Sequence, residues 1–209
     1  MKTIKYLKQF SFYISIFAII IFTGCSDDEE APAVENEMEV ITDIKLIFTN
    51  EADNTDIVEA SAKDSDGIGV QELEVLDAIN LQIDQTYTLT FEITNALEPN
   101  DPEDVGEEIL EEAAEHQFFF SFSSDAFADP TGNGNIDNIA SGTEAINYQD
   151  NDDNGNPVGL ETTWTTSSNA LSGGIFTARL QHQPDVKTST SGVTDGDTDF
   201  ELQFSLNVQ

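Results

Sequence analysis

Asp150, Asp152, Asn154, Gly155 and Glu161, in the stretch "DNDDNGNPVGLE", stand at the first, third, fifth, sixth and twelfth places of a calcium-binding EF-hand loop. Calcium takes about six to eight oxygens. The Asp150, Asp152 and Asn154 side chains, the Asn156 carbonyl and a bidentate Glu161 could supply most of them. An EF-hand holds its loop between two helices, whereas here "AINYQ" precedes and "TTWTT" follows, both rich in the β-branched and aromatic residues of strands. Pro157 takes the eighth place, where a backbone N–H is normally used and proline has none. The stretch is therefore expected to be a hairpin loop. Asp150, Asp152 and Asn154 are its candidate Ca2+ ligands; the alternative is a plain turn in which Asn154-Gly155 takes positive φ and the aspartates bond nearby amides.

His116, in "EHQFFF", and His182, in "LQHQPD", are the two histidines of the chain. Two imidazoles and a carboxylate can hold a transition metal with coordination positions left open, as in a metallohydrolase. Neither histidine has a second ligand at i+2 or i+4. Both lie at the edge of an apolar strand-like run, so they could meet at one end of a sandwich. A metal-site reading requires the rings to converge within about 5 Å; the alternative is a structural histidine bonding a carbonyl or Glu115. The carboxylates of "DSDG" (Asp64, Asp66) and "DGDTD" (Asp195, Asp197, Asp199) read as solvated turn residues in so acidic a chain. There is no G-x-S-x-G, no H-E-x-x-H and no cysteine besides Cys25, and the chain is expected to lack enzymatic activity. Trp164, the one tryptophan, shares a strand face with Leu160 and Thr162 and reads as core rather than as a platform for sugars.

These residues need strands to position them, and alternation supplies the signal. Val40, Thr42, Ile44, Leu46 and Phe48 fall on one face of "VITDIKLIFT". "TYTLTFEIT", "GIFTARLQH" and "DFELQFSLNV" repeat the pattern, with period two and polar residues outside. Weaker candidates lie at 57–63, 71–76, 117–122, 144–149 and 160–166, between turn-rich stretches. The expected fold is all-β, an antiparallel immunoglobulin-like sandwich of about eight or nine strands, spanning 40–209 as a single domain. "DPEDVGEEILEEAAEH" is the exception. It predicts a short helix near 102–115, capped by Asp101 with Pro102 at its first position.

Residues 1–24 read as a signal peptide, with Lys2, Lys5 and Lys8 ahead of the apolar run "FSFYISIFAIIIF", too short to span a bilayer. The run ends in "FTGC", which resembles a bacterial lipobox, although Phe22 replaces the usual aliphatic residue. Cys25 is then the lipidated residue and the membrane anchor. "CSDDEE" is similar to the acidic surface-export signal of Bacteroidota lipoproteins, and residues 25–39 make a charged tether with too little apolar surface to fold. After the signal, Lys45, Lys63, Arg179 and Lys187 stand against 41 acids, a balance that excludes nucleic acid as a partner.

Four motifs, "EEAAEHQFFF", "Y-x-D-x-D-x-N-G-x-P-x-G-L" (Tyr148 to Leu160), "RLQHQPD" and "SGVTDGD", together resemble an uncharacterised family of small Bacteroidota lipoproteins. Some members carry the label "type 1 periplasmic binding fold", which implies alternating strands and helices; the residues here predict strand after strand. The family resemblance implies a lipoprotein and supplies no activity; with the export signal "CSDDEE" the expected place is the outer membrane, exposed at the cell surface. The shared pattern ends at Leu160, so Glu161 falls outside it. The expected role is a non-enzymatic binding or structural module with an unidentified protein or glycan partner. A calcium- or glycan-binding accessory to polysaccharide uptake is the alternative, and a metallohydrolase the third.

Overall fold

The computed structural model describes residues 39–64, 72–129, 136 and 146–209. The expected signal peptide, Cys25 and its tether up to residue 38, Asp66 and the glycine-rich turn at 130–135 lie outside them. The described chain forms β1 (Asp43–Asn50), β2 (Ile57–Lys63), β3 (Glu74–Val75), β4 (Ile79–Leu81), β5 (Thr86–Asn95) and β6 (Glu103–Asp104). There follow α1 (Val105–Glu111), β7 (His116–Phe122), β8 (Phe127–Asp129), β9 (Asn147–Tyr148), β10 (Glu161–Thr166), β11 (Leu171–His182) and β12 (Asp197–Val208).

One sheet runs β3-β2-β1-β5-β10-β8, with β6 added to β5 and β9 to β10; the other runs β4-β12-β11-β7. Their apolar faces meet in one core, as the alternation predicts. Phe48 of β1 packs edge-on against Phe176 of β11 at 5.7 Å, and Phe91 of β5 stacks on Phe118 of β7 at 4.4 Å. Trp164 is fully buried among Phe120, Phe122, Phe127 and Phe176, and its indole N–H donates to Thr162 Oγ1 at 2.8 Å. Each such aromatic contributes about 2–3 kcal/mol of burial, so this cluster is a main source of stability in a fold with no disulfide among its described residues.

Two expectations need correction. Twelve strands form among the described residues, not eight or nine. The additional ones are two or three residues long, too short for alternation to mark them, and β4 pairs with β12 in parallel although every other pair among the described residues is antiparallel. The helix is also shorter than 102–115. Glu103 and Asp104 pair with Asn95 and Thr94, holding the chain extended past Pro102. Asp104, not Asp101, is the cap, accepting the Glu107 N–H at 3.2 Å.

Candidate functional site

The register between β7 and β11 decides where the histidines go. Phe122 faces Phe176, Phe120 faces Ala178, Phe118 faces Leu180, and the next inward step sets His116 opposite His182. The core row thus ends in two imidazoles. Their rings stack 4.4 Å apart and 4° from parallel, and both residues are buried. Residues 66 positions apart in sequence meet at one end of the sandwich, within the distance the metal-site reading requires.

A third group comes from a strand irregularity. Along β11 and β12, Leu180 pairs with Phe200 but Gln181 pairs with Thr198, leaving Asp199 as an extra residue. Such a bulge re-aims a side chain, and here it turns the Asp199 carboxylate inward, fully buried, with one oxygen 3.9 Å from His116 Nε2. Asp199 is therefore not the solvated turn residue its sequence suggests. An open cleft of about 320 Å³ brings Asp64 and Glu72 beside the Asp199–Leu202 segment.

His116 Nδ1 lies 3.3 Å from the Glu112 carbonyl, which places the ring proton on that nitrogen. Its Nε2 has no hydrogen-bond partner among the described residues. Neither does His182 Nε2, 3.7 Å from a Glu115 carboxylate oxygen, nor either oxygen of Asp199. Burial, with the neighbouring His182 and Lys187 charges, pushes His116 down to about 4, against the pull of the Glu112 carbonyl. Burial, with Glu39 and Asp197 nearby, pushes Asp199 up to about 7. His116 is thus a neutral imidazole at neutral pH, the form that binds metals. One nitrogen of each ring and a carboxylate oxygen of the exposed Glu112 lie within 4.8 Å of one another.

Lys187 ties the hairpin loop to this end of the fold. Its ammonium donates to the Ala113 carbonyl at 2.6 Å and the His116 carbonyl at 2.8 Å, and lies 3.4 Å from Asp152 Oδ2. Burial lowers the Lys187 pKa against the opposing pull of Asp152. Asp152 also accepts the amides of Asn154 and Asn156 and the Asn156 side chain. Asp150 accepts the amides of Gly159, Leu160 and Glu161. The loop joins β9 to β10, which pair antiparallel, so its frame is a hairpin and not an EF-hand. Of the three candidate calcium ligands, the two aspartates point their oxygens at N–H donors and an ammonium, while Asn154 is exposed. Glu161 enters through its backbone and is exposed.

The remaining motifs converge on the same place. Gln183 donates through its side chain to the carbonyls of Gly192 and Asp195, and Asp195 accepts the Gly192 amide, closing the "SGVTDGD" turn. Gly196, at φ +79°, lies so close to His182 that a Cβ would sit 1.9 Å from its carbonyl oxygen. Sequence reasoning missed Lys187 and Glu112 and misread Asp199. For Lys187 a signal existed, as one of four cations left among 41 acids after the signal peptide. Comparison with protein-family models, curated proteins and solved structures finds no match for this chain.

Proposed function

We propose that this chain is a lipid-anchored cell-envelope protein, held in the outer membrane and facing outward, whose β-sandwich serves as a non-enzymatic binding or structural module. The observation that carries this reading is the sequence "FTGCSDDEE", a lipobox followed by an acidic tether, ahead of a sandwich whose first strand opens at Asp43. The charge pattern supports a partner that is not anionic. Lys45 pairs with Glu92 and Glu59, Lys63 with Asp43 and Arg179 with Glu201, and Lys187 is buried against Asp152. Every basic residue of the sandwich is thus matched by an acid, leaving no cationic patch among the described residues for nucleic acid or anionic lipid.

Labelling cells with palmitate tests the anchor. Label enters the protein, processing stops with globomycin, and both depend on Cys25. A Cys25→Ala variant that still takes up label and matures normally would sink the reading. Protease treatment of intact cells tests the outward orientation, since a surface-displayed domain is digested and a periplasmic one is protected.

A further inference from the structure

The geometry points to a divalent transition-metal site, of the zinc class, built by His116, His182 and Glu112 at the end of the sandwich. Three independent features converge there. Strand pairing sets the two histidines directly opposite each other on one face, so their Cβ atoms are held about 5 Å apart by the backbone itself. Each ring has a fully buried Nε2 with no hydrogen-bond partner among the described residues, an arrangement that a folded protein seldom leaves unexplained. And a carboxylate oxygen of Glu112 comes within 4.8 Å of a nitrogen of each ring.

The rings stack parallel at 4.4 Å, with one nitrogen of each within 4.8 Å of the other. Binding one ion at bonds of about 2.0–2.1 Å would require a ring to turn about its Cβ–Cγ bond, since parallel rings do not aim their lone pairs at one point. The surroundings suit a cation held by neutral imidazoles. A ring that gives one nitrogen to a metal needs an acceptor for the other. For His116 that acceptor is the Glu112 carbonyl beside Nδ1, which leaves its Nε2 for the ion, and the Asp199 and Glu115 carboxyl groups beside the two Nε2 atoms put acids next to where the cation would sit. Lys187 adds a positive charge on the backbone side of His116, but Asp152 stands against it. Glu112 is exposed, so the remaining coordination positions open to water. Two imidazoles and a carboxylate favour zinc, nickel or copper over calcium and magnesium, which prefer all-oxygen shells.

The test uses the full-length protein in detergent, stripped with EDTA and titrated with Co2+ and then Zn2+. One equivalent of Co2+ gives visible d–d absorbance, which Zn2+ removes and millimolar Ca2+ does not. Affinity falls at least tenfold in Glu112→Gln and further in His182→Gln. Because the chain holds two histidines, their imidazole NMR signals give a readout that needs no variant, and both shift on addition of one equivalent of Zn2+. Absence of saturable Co2+ absorbance, or histidine signals unmoved by Zn2+, overturns the site. So does equal binding by a folded His116→Gln/His182→Gln double variant, which would assign the metal to the acidic surface.

Discussion

Lys187 and Asp152 face each other at 3.4 Å with both side chains 1% exposed, and the ammonium also bonds two carbonyls of the segment entering β7. A lysine from one loop thereby fixes the hairpin loop to the turn that precedes His116. Asp152 accepts three N–H bonds besides this pair and Lys187 donates to two carbonyls, so the two partners are not equivalent. Asp152→Ala leaves an uncompensated buried ammonium and frees three N–H donors, and should cost about 3–5 kcal/mol. Lys187→Met takes the donor from the Ala113 and His116 carbonyls but leaves Asp152 satisfied by Asn154 and Asn156, with no unpaired ammonium, and should cost distinctly less. Urea unfolding of the two variants measures the difference; equal losses would mean that the loop is held by something other than this pair.

The same contacts predict the response to calcium. Asp150 spends its oxygens on three backbone amides, and Asp152 on Asn154, Asn156 and an ammonium. Calcium would have to displace donors already in place, one of them positively charged. Millimolar calcium added to EDTA-stripped protein should therefore leave its melting temperature unchanged. A rise of several degrees at that concentration would show a stabilising site, with the aspartates turned away from their present donors.

Gly196 carries a prediction of a different kind. At φ +79°, with the His182 carbonyl 1.9 Å from where a Cβ would stand, it admits no side chain without moving β11. Gly196→Ala should destabilise by more than about 3 kcal/mol and disturb the histidine stack. Gly155, at φ +82° with open space around it, should tolerate alanine at roughly the backbone cost of 1 kcal/mol. Thermal melts of the two variants check the contrast, and similar melting temperatures would defeat it.

The long strands were legible because alternation survives in them. β1, β5, β11 and β12 carry a residue of one kind at every second position, and their edges lie within a few residues of expectation. The hairpin loop was legible too, since Pro157 and the strand-like flanks spoke against helices. What sequence could not show is register. That His116 meets His182 depends on how β7 slides along β11, and a one-residue slip of β7 would send the His116 ring to the other face, away from His182. Asp199 was hidden for a related reason. Its bulge exists only relative to β11, and in "DTDFEL" nothing distinguishes a buried aspartate from its solvated neighbours.

The buried acid and the buried imidazole predict opposite pH responses. Asp199, raised to about 7 in the fold from 3.8, holds a proton more tightly when folded. Its contribution is unfavourable above pH 7 and is relieved as pH falls, so it makes stability rise on acidification between about 7 and 4. His116, lowered to about 4 from 6.5, holds a proton less tightly when folded. Its contribution is complete above pH 6.5 and is lost as pH falls to 4. Across that window the two nearly cancel, and the wild-type protein shows little net slope from this site. Asp199→Asn removes the compensating acid. Relative to wild type, it should lose about 4 kcal/mol of stability between pH 7 and 4, because one proton bound or released on unfolding changes stability by about 1.36 kcal/mol for each step of one in pH. His116→Gln should gain, relative to wild type, by about 3 kcal/mol over the narrower window from pH 6.5 to 4. Taking differences from wild type removes contributions the variants share, such as Glu108, which burial with Glu39 and Glu103 raises to about 7. Urea midpoints at half-unit steps of pH give the slopes, and two variants that both follow the wild-type curve would show that neither group titrates as its burial requires.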